Sequence, residues 1–362
     1  MLHPKAIINL DNLKNNIKYI KSLLHTSILY PVIKANAYGH GATHVAQILK
    51  KESIEGICVA TYDEVVEILN LNLNLNILHL GKIILNSNII NNKVIFTINS
   101  YDDVKYIDKI CQKSNQSIRC HIKVDTGMNR MGCKMIEFEK VFFAAHKSKY
   151  IILEAVYSHL ACANNKNSAN NKTQILEFEY IRNLTKKYDI KYHLLNSSGI
   201  FNYPKCQYDY IRIGLSIYGV SPLGKIDVNL KPVMQLVAPV VLEKVIQKGE
   251  HVGYGCTFTA QKKMRIAIVQ CGYADGLPID FGNKGFVFFN KFKLPIIGKV
   301  SMDLICIDIS DLNNTDSLNE VIVWGGDQDD SKLEILAKKF HTIPYSFLTG
   351  ISNRVKRIYY EN

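Results

Sequence analysis

The stretch Pro31–Gly41, PVIKANAYGHG, places one lysine, Lys34, at the end of an apolar run, with Tyr38 and His40 close behind it. A lysine leaving a buried strand either extends its ammonium to water or sits where its amine becomes reactive. A free lysine, with a pKa of about 10.4, is protonated at neutral pH and attacks no carbonyl; burial lowers that pKa and frees the nucleophile. The chemistry such an amine serves is imine formation, and pyridoxal phosphate is the common partner. That cofactor asks for a lysine, a cradle of N–H and hydroxyl groups for its phosphate, and a residue facing its pyridine nitrogen.

Other strand-end segments carry groups of the required kinds. VDTGMNRMG holds Asp125 and Arg130, YSHLACAN holds His159, LLNSSGI holds Asn196, Ser197 and Ser198, and DYIRIGLSIYG holds Arg212 and Gly214. Together they make a reactive amine with an anion cradle, and they lack the carboxylate grouping of a metal site. Taken singly, a strand-end lysine is more often a solvated surface group, and a lone histidine more often a hydrogen-bonded core residue. Arg212 inside YIRIGL is harder to set aside, because arginine is rarely buried without a partner.

The elements that must position these groups read as a (β/α)8 barrel. Short apolar runs (ILYPVIKAN, EGICVAT, NILHLG, KVIFTIN, IRCHIKVD, LEAVYSHL, KYHLLNSS, DYIRIGLS) alternate with helical stretches such as THVAQILKKES, YDEVVEILN and YDDVKYIDKICQK. In such a barrel the chemistry lies at the C-terminal ends of the strands, where these residues fall. A doubly wound sheet would carry a G-x-G-x-x-G turn after its first strand, and none is present. With 362 residues the chain exceeds the usual reach of one core. After about Lys231 the text turns into short β-type runs broken by Gly and Pro, with one helical stretch, SKLEILAKKF. The expected division is an α/β barrel over residues 1–230 and a mostly β domain over 231–362.

Composition narrows the function classes. The net charge of +12 is spread along the chain without a basic block, so nucleic acid is not an expected partner. No apolar run approaches the ~18 residues of a membrane span, so no membrane association is expected. The N-terminal residues mix charges and amides into their apolar positions and make a poor signal peptide. Nine scattered cysteines without a C-x-x-C pair argue against a disulfide framework or a zinc site. A cytoplasmic setting is the expectation. From the residues alone, the reading ends at a barrel enzyme that handles a small anionic or carbonyl substrate.

The motifs taken together resemble the alanine racemases over essentially the whole chain. PVIKANAYGHG is similar to that family's cofactor-lysine motif. KVDTGMNRMG, YSHLACAN, LLNSSG, YIRIGLSIYG, VGYGCTFTA, GYADG and VSMD follow in the family's order. The resemblance implies a pyridoxal-phosphate enzyme that interconverts L- and D-alanine, supplies D-alanine for peptidoglycan, and works as a homodimer whose second domain completes the partner's site. It implies that Lys34 carries the cofactor, that Tyr38, Ser197, Gly214 and Leu215 surround its phosphate, that Arg212 faces the pyridine nitrogen, and that His159 lies by the ring. Tyr254, from the partner subunit, is implied as the base opposite Lys34. Arg130, Met302 and Asp303 are implied to hold the substrate carboxylate, and Tyr273 to line the entrance. Lys123 matches a lysine carbamylated in some members.

Physical logic supports the two bases, since racemisation removes the Cα proton from one face and returns it to the other. A tyrosine base, with a free pKa of about 10, needs help, expected here from Arg130 and His159 as cations. An always-charged Arg212 disfavours protonation of the pyridine nitrogen and so restrains side reactions. The chain departs from the family pattern at Asn353 (a phosphate-touching tyrosine elsewhere), Asn129 (glycine in many members) and Ser301 (cysteine in others). A related barrel decarboxylase would show a Gly-Gly-Gly loop and an acidic residue in the place of Arg212. A serine or broad-specificity racemase remains compatible with these motifs.

Overall fold

The computed structural model describes residues 3–85, 90–313 and 318–361. They fall into two units, each described by itself. One comprises Ile17–Ala37 and Gly41–Ile217; the other comprises the described residues through Asn16, Tyr38–His40, and those from Tyr218 onward. The sequence reading drew one cut between residues 230 and 231. The difference arises because β1 (Lys5–Asn9) hydrogen-bonds into the sheet of the second unit.

In the first unit all eight apolar runs become strands: β2 (Ile28–Pro31), β3 (Gly56–Val59), β4 (Asn76–His79), β5 (Val94–Ile98), β6 (Ile118–Asp125), β8 (Ile151–Tyr157), β9 (Lys191–His193) and β10 (Tyr210–Ile213); a two-residue β7 (Cys133–Lys134) lies beside β6. They pair in parallel in the order β2-β10-β9-β8-β6-β5-β4-β3. A parallel bridge between Val32 and Cys58, with the Ile33 amide donating to Cys58 at 2.9 Å, brings the two ends of this order together. Strands of such a barrel are covered on both faces, which explains why β3 and β5 are buried at every residue. The helices between them start at local signals. Thr61 and Glu64 form a capping box at the head of Tyr62–Asn70, and Ser100 accepts from the Asp103 amide at the head of Tyr101–Ser114.

The second unit is built from β11 (Met234–Ile246), β12 (His251–Val252), β13 (Phe258–Thr259), β14 (Met264–Val269), β15 (Phe286–Phe289), β16 (Phe292–Ile297), β17 (Ile305–Asp308), β18 (Glu320–Trp324) and β19 (Lys356–Tyr360). The order β14-β17-β16-β15-β18-β11 closes on itself, because β11 also pairs with β14. A register shift between Val240 and Leu242 lets the first half of β11 pair with β18 and the second half with β14. The closed sheet buries Trp324, Phe288, Val269 and Ile307. Two helices interrupt the strands, Leu333–Lys339 and Pro344–Gly350, where the sequence reading expected one. The second is seven residues long and opens on Pro344, a residue type that breaks strands but also suits the first turn of a helix. Among the described residues no helix is long and apolar enough to cross a membrane.

Candidate active site

Lys34 lies three residues beyond β2 and is half-buried. The backbone after it turns left-handed through four consecutive non-glycine residues, Ala35, Asn36, Ala37 and Tyr38, with φ between 52° and 53°. That conformation costs roughly 1–2 kcal/mol per residue and persists only where the surroundings enforce it. Here the Ala37 amide donates to Ile33 O at 2.8 Å, and the Gly41 amide to Asn36 O at 3.0 Å. Asn36 Oδ1 accepts from the Ala42 amide at 2.8 Å, at the start of the helix Ala42–Lys51. Glu64 Oε1 accepts from the Ala35 amide at 2.7 Å, while its Oε2 accepts from Ala60 and Thr61. One carboxylate thus ties the lysine turn to the next strand end. Burial, and then the charge of Arg130, lowers the Lys34 pKa, with Glu64 pulling the other way.

Arg130 follows β6 on a loop organised by Asp125. The Asp125 carboxylate accepts from the amides of Gly127, Met128 and Asn129 at 2.9–3.1 Å and pairs with Lys134 at 3.1 Å. Burial would raise the pKa of Asp125, but these donors outweigh it and the pKa falls. Asn129 has φ 54°, a conformation asparagine tolerates, and its Oδ1 accepts from Lys134 at 2.7 Å. The departure from glycine at this position is therefore accommodated and supplies an added contact.

Arg212, on β10, is 4% exposed. Its Nη2 donates to Ser158 O at 2.6 Å and Leu194 O at 3.3 Å and lies 3.4 Å from His159 Nδ1; Nη1 meets His193 Nδ1. The guanidinium sits 4.8 Å from the Tyr157 ring centroid. Burial, together with Arg212, Lys123, Arg130 and Lys34, holds the His159 pKa well below its ordinary value. This corrects one expectation: His159 is a neutral imidazole at neutral pH and contributes no cation. Ser197 is buried, its Oγ accepting from the Gly214 amide at 3.1 Å, and Leu215 is buried beside Gly214. Lys123, on β6 and 7% exposed, has its pKa lowered to about 8 by burial and then by Arg212 and Arg130.

The second unit carries the other candidates. Tyr38, 7% exposed, packs against Tyr218 and Tyr345 with ring centroids at 5.0 and 5.7 Å. Gly39, next to it, has no room for a side chain, since a Cβ would lie 2.2 Å from Leu348 O; His40 stacks on Tyr218 at 4.4 Å. Tyr254 stands 73% exposed between Gly253 and Gly255, both with φ above 70°. Tyr273 and Met302, on adjoining segments, are held together by the Tyr273 amide donating to Ser301 O at 3.1 Å and the Ala274 amide to Met302 O at 3.0 Å. Asp303 pairs with Arg354 at 2.7 Å, and Arg354 also reaches Asp275 at 3.2 Å. The structure thus groups Lys34, Lys123, Arg130, His159, Ser197, Arg212, Gly214 and Leu215 in the barrel unit, and Tyr38, Tyr254, Tyr273, Met302 and Asp303 in the β unit.

Several contributors escaped the sequence reading. Glu64 had a visible signal, the T-x-x-E capping pattern at Thr61. Asn171 and Gln174 are buried at helical spacing on Ala169–Thr185 and clamp the loop after β8: Gln174 Nε2 donates to His159 O at 3.0 Å and Asn171 Nδ2 to Cys162 O at 2.8 Å. Arg354 sat beside the noted Asn353 without being singled out. Among the described residues no group of three or more His, Cys, Asp or Glu could hold a metal.

A parallel barrel with helices between its strands and, in the same chain, a closed β unit define a two-domain α/β-barrel protein. Residues 8–222 match the family model for the alanine racemase N-terminal domain, and residues 233–359 that for the alanine racemase C-terminal domain. Alanine racemase 1 of Clostridium acetobutylicum is 34% identical, covering 99% of this chain and 95% of that protein. An alanine racemase of Coxiella burnetii is 34% identical over 99% of both. The solved alanine racemase of Clostridium difficile 630 superposes with a TM-score of 0.92 at 31% identity, covering 100% of this chain and 97% of that one. That of Bartonella henselae, with covalently bound pyridoxal phosphate, gives 0.90 at 30% identity, covering 99% and 100%. The chain belongs to the alanine racemase family.

Proposed function

We propose that this protein is a cytoplasmic, pyridoxal-phosphate-dependent homodimer that interconverts L- and D-alanine by two bases and supplies D-alanine for peptidoglycan. The observation that carries the reading is Lys34: a half-buried amine of lowered pKa, beside Arg130, on a turn locked by Glu64. The barrel residues fit the cofactor's needs, with a reactive amine, a buried Ser197 hydroxyl and Gly214 amide, and a fixed Arg212. When bound, pyridoxal phosphate supplies the electron-withdrawing ring that makes the substrate Cα proton acidic.

Lys34 anchors the cofactor and, once released, takes or returns the Cα proton on one face. Tyr254 of the partner subunit serves the other face. Tyr38, Ser197, Gly214 and Leu215 hold the phosphate, and His159 lies by the ring as a neutral group. Arg212 keeps the ring nitrogen unprotonated, because a guanidinium does not give up its own charge. Arg130, Met302 and Asp303 hold the substrate carboxylate, and Tyr273 lines the entrance. Lys123, whose lowered pKa leaves part of its amine neutral near pH 8, is suited to carbamylation, which would set a negative charge among Lys34, Arg130 and Arg212.

The test is a chiral assay of purified protein with L-alanine and L-serine, with and without added pyridoxal phosphate. D-alanine formed only with the cofactor is the expected result. Equal turnover of serine would shift the reading to a broad-specificity racemase, and release of carbon dioxide to a decarboxylase.

A further inference from the structure

A line of polar side chains crosses the interior of the barrel, and the proposed chemistry uses only its first member. Arg212 Nη1 meets Nδ1 of His193 on β9. Nε2 of His193 lies 3.0 Å from Nδ1 of His121 on β6. Nε2 of His121 has no hydrogen-bond partner within reach, and Glu154 Oε2, on β8, stands 3.7 Å from it. Glu154 in turn is forked by Arg119, with Nε at 2.6 Å and Nη2 at 3.1 Å, and Arg119 donates onward to Asn76 Oδ1 and Asn92 O. His193 and His121 are 0% and 1% exposed, and His193 stacks on Tyr157 at 4.4 Å.

The direction of this line follows from donor chemistry. A guanidinium has donors only, so His193 Nδ1 must accept. A neutral imidazole that accepts at Nδ1 carries its hydrogen at Nε2, and therefore donates to His121 Nδ1. By the same rule His121 carries its hydrogen at Nε2, the nitrogen that has Glu154 Oε2 3.7 Å away. Burial is the largest influence on both histidines and, with Arg212 nearby, holds them neutral. Arg212 is the cation at one end and Glu154 the anion at the other, with two imidazoles in a single tautomeric register between them.

We propose that His193, His121 and Glu154 are positioning residues that hold the Arg212 guanidinium from the far side of the barrel core. The inference rests on the proposed role of Arg212 at the pyridine nitrogen. A guanidinium set loose there would no longer restrain the side reaction in which alanine gives its amino group to the cofactor carbonyl. In that exchange alanine would leave as pyruvate and the cofactor as its amine; starting from the imine with Lys34, the Lys34 amine is released and one water supplies the ketone oxygen of pyruvate.

The test begins with imidazole nitrogen NMR on histidine-labelled full chain at about pH 8, where His121 and His193 should both be neutral and protonated at Nε2. Protonation of either at Nδ1, or at both nitrogens, overturns the line. Glu154→Gln gives a second reading. Its single oxygen stays with Arg119 and its amide N–H faces His121, so the pure Nε2–H form of His121 should be lost; an unchanged tautomer overturns the role of Glu154. In holoenzyme, His121→Leu should raise pyruvate released per D-alanine formed by about tenfold, the scale of coupling through packed networks, while His121→Asn, whose amide oxygen replaces the Nδ1 acceptor, should stay within about twofold. Equal ratios in the two variants overturn the positioning role. Wild-type protein without racemase activity but with the expected tautomers would sink the proposed function and leave the line standing.

Discussion

Arg212, in the barrel unit, is 4% exposed and held by the carbonyls of Ser158 and Leu194 and by His193, whereas Tyr254, in the β unit, is 73% exposed on a turn between two positive-φ glycines. The same contrast runs through the neighbours of each. In the barrel, Asp125 gathers three amides, Glu64 three more, and Gln174 clamps the loop of His159. In the β unit, Tyr273 and Met302 are tethered through their backbones while their side chains remain 43% and 52% exposed. A group fixed by hydrogen bonds of its own unit is preorganised before anything binds, and such preorganisation is a large part of catalytic power. An exposed aromatic fixed only through its backbone takes its surroundings from outside, which agrees with the proposal that Tyr254 acts in a partner's site.

The strongest way to break this comparison is at its two bases. Lys34→Ala should lower racemisation by at least about 10⁴-fold and abolish the visible absorbance of bound cofactor, since it removes anchor and base together. Retained colour would show that another amine carries the cofactor. Tyr254→Phe should lower turnover by about 10²–10⁴-fold while the colour persists and stability moves by no more than ~0.5 kcal/mol, because the side chain is exposed on its own protomer and only its hydroxyl is removed. Full activity in both directions would remove Tyr254 from the mechanism, and a large drop in thermal midpoint would erase the contrast between the regions.

Lys123 sharpens the barrel side. Its folded pKa, about 8, lies below the ordinary value of 10.5, so between those values the unfolded chain binds more protons than the folded one. Stability in carbonate-free buffer should therefore rise with pH from about 8 toward 10, recovering a burial penalty on the order of 3 kcal/mol. Denaturant titrations should show that rise in the wild type and not in Lys123→Met; a flat wild-type profile contradicts an unmodified, buried ammonium. The smallest effect is at Glu64. Glu64→Gln offers one acceptor oxygen where two now serve three amides, and should cost about 1–3 kcal/mol. Because the lysine turn is what it anchors, cofactor uptake should slow as well; unaltered uptake would limit Glu64 to capping its own helix.

The barrel was legible because its strands are fully buried and its helices amphipathic, two periods that local sequence expresses directly. The strand ends named Lys34, Arg130, His159, Ser197 and Arg212 for the same reason. What escaped depends on partners distant in the chain. β1 is a short apolar run whose place is set by β11 and β19, more than 200 residues away. His121 and Glu154 look like ordinary members of buried strands until β6, β8 and β9 are laid side by side. The left-handed turn after Lys34 is spelled with Ala-Asn-Ala-Tyr, of which only the asparagine favours positive φ, and hydrogen bonds to Glu64 and Asn36 help hold it.

The seat of β1 has a further consequence, for the order of events during synthesis. The strand Lys5–Asn9 emerges from the ribosome before the other strands described, yet its antiparallel neighbour begins at Met234 and its parallel neighbour at Lys356. At ~5–20 residues per second, the wait for the first of these is roughly 10–45 s, and the barrel segment is made in full in the meantime. The barrel is in effect an insertion within the β unit. A nascent chain halted once Ile217 has left the tunnel should thus present a folded barrel and a β1 still accessible to protease, and full protection of β1 should come only when Lys356–Tyr360 has left the tunnel as well.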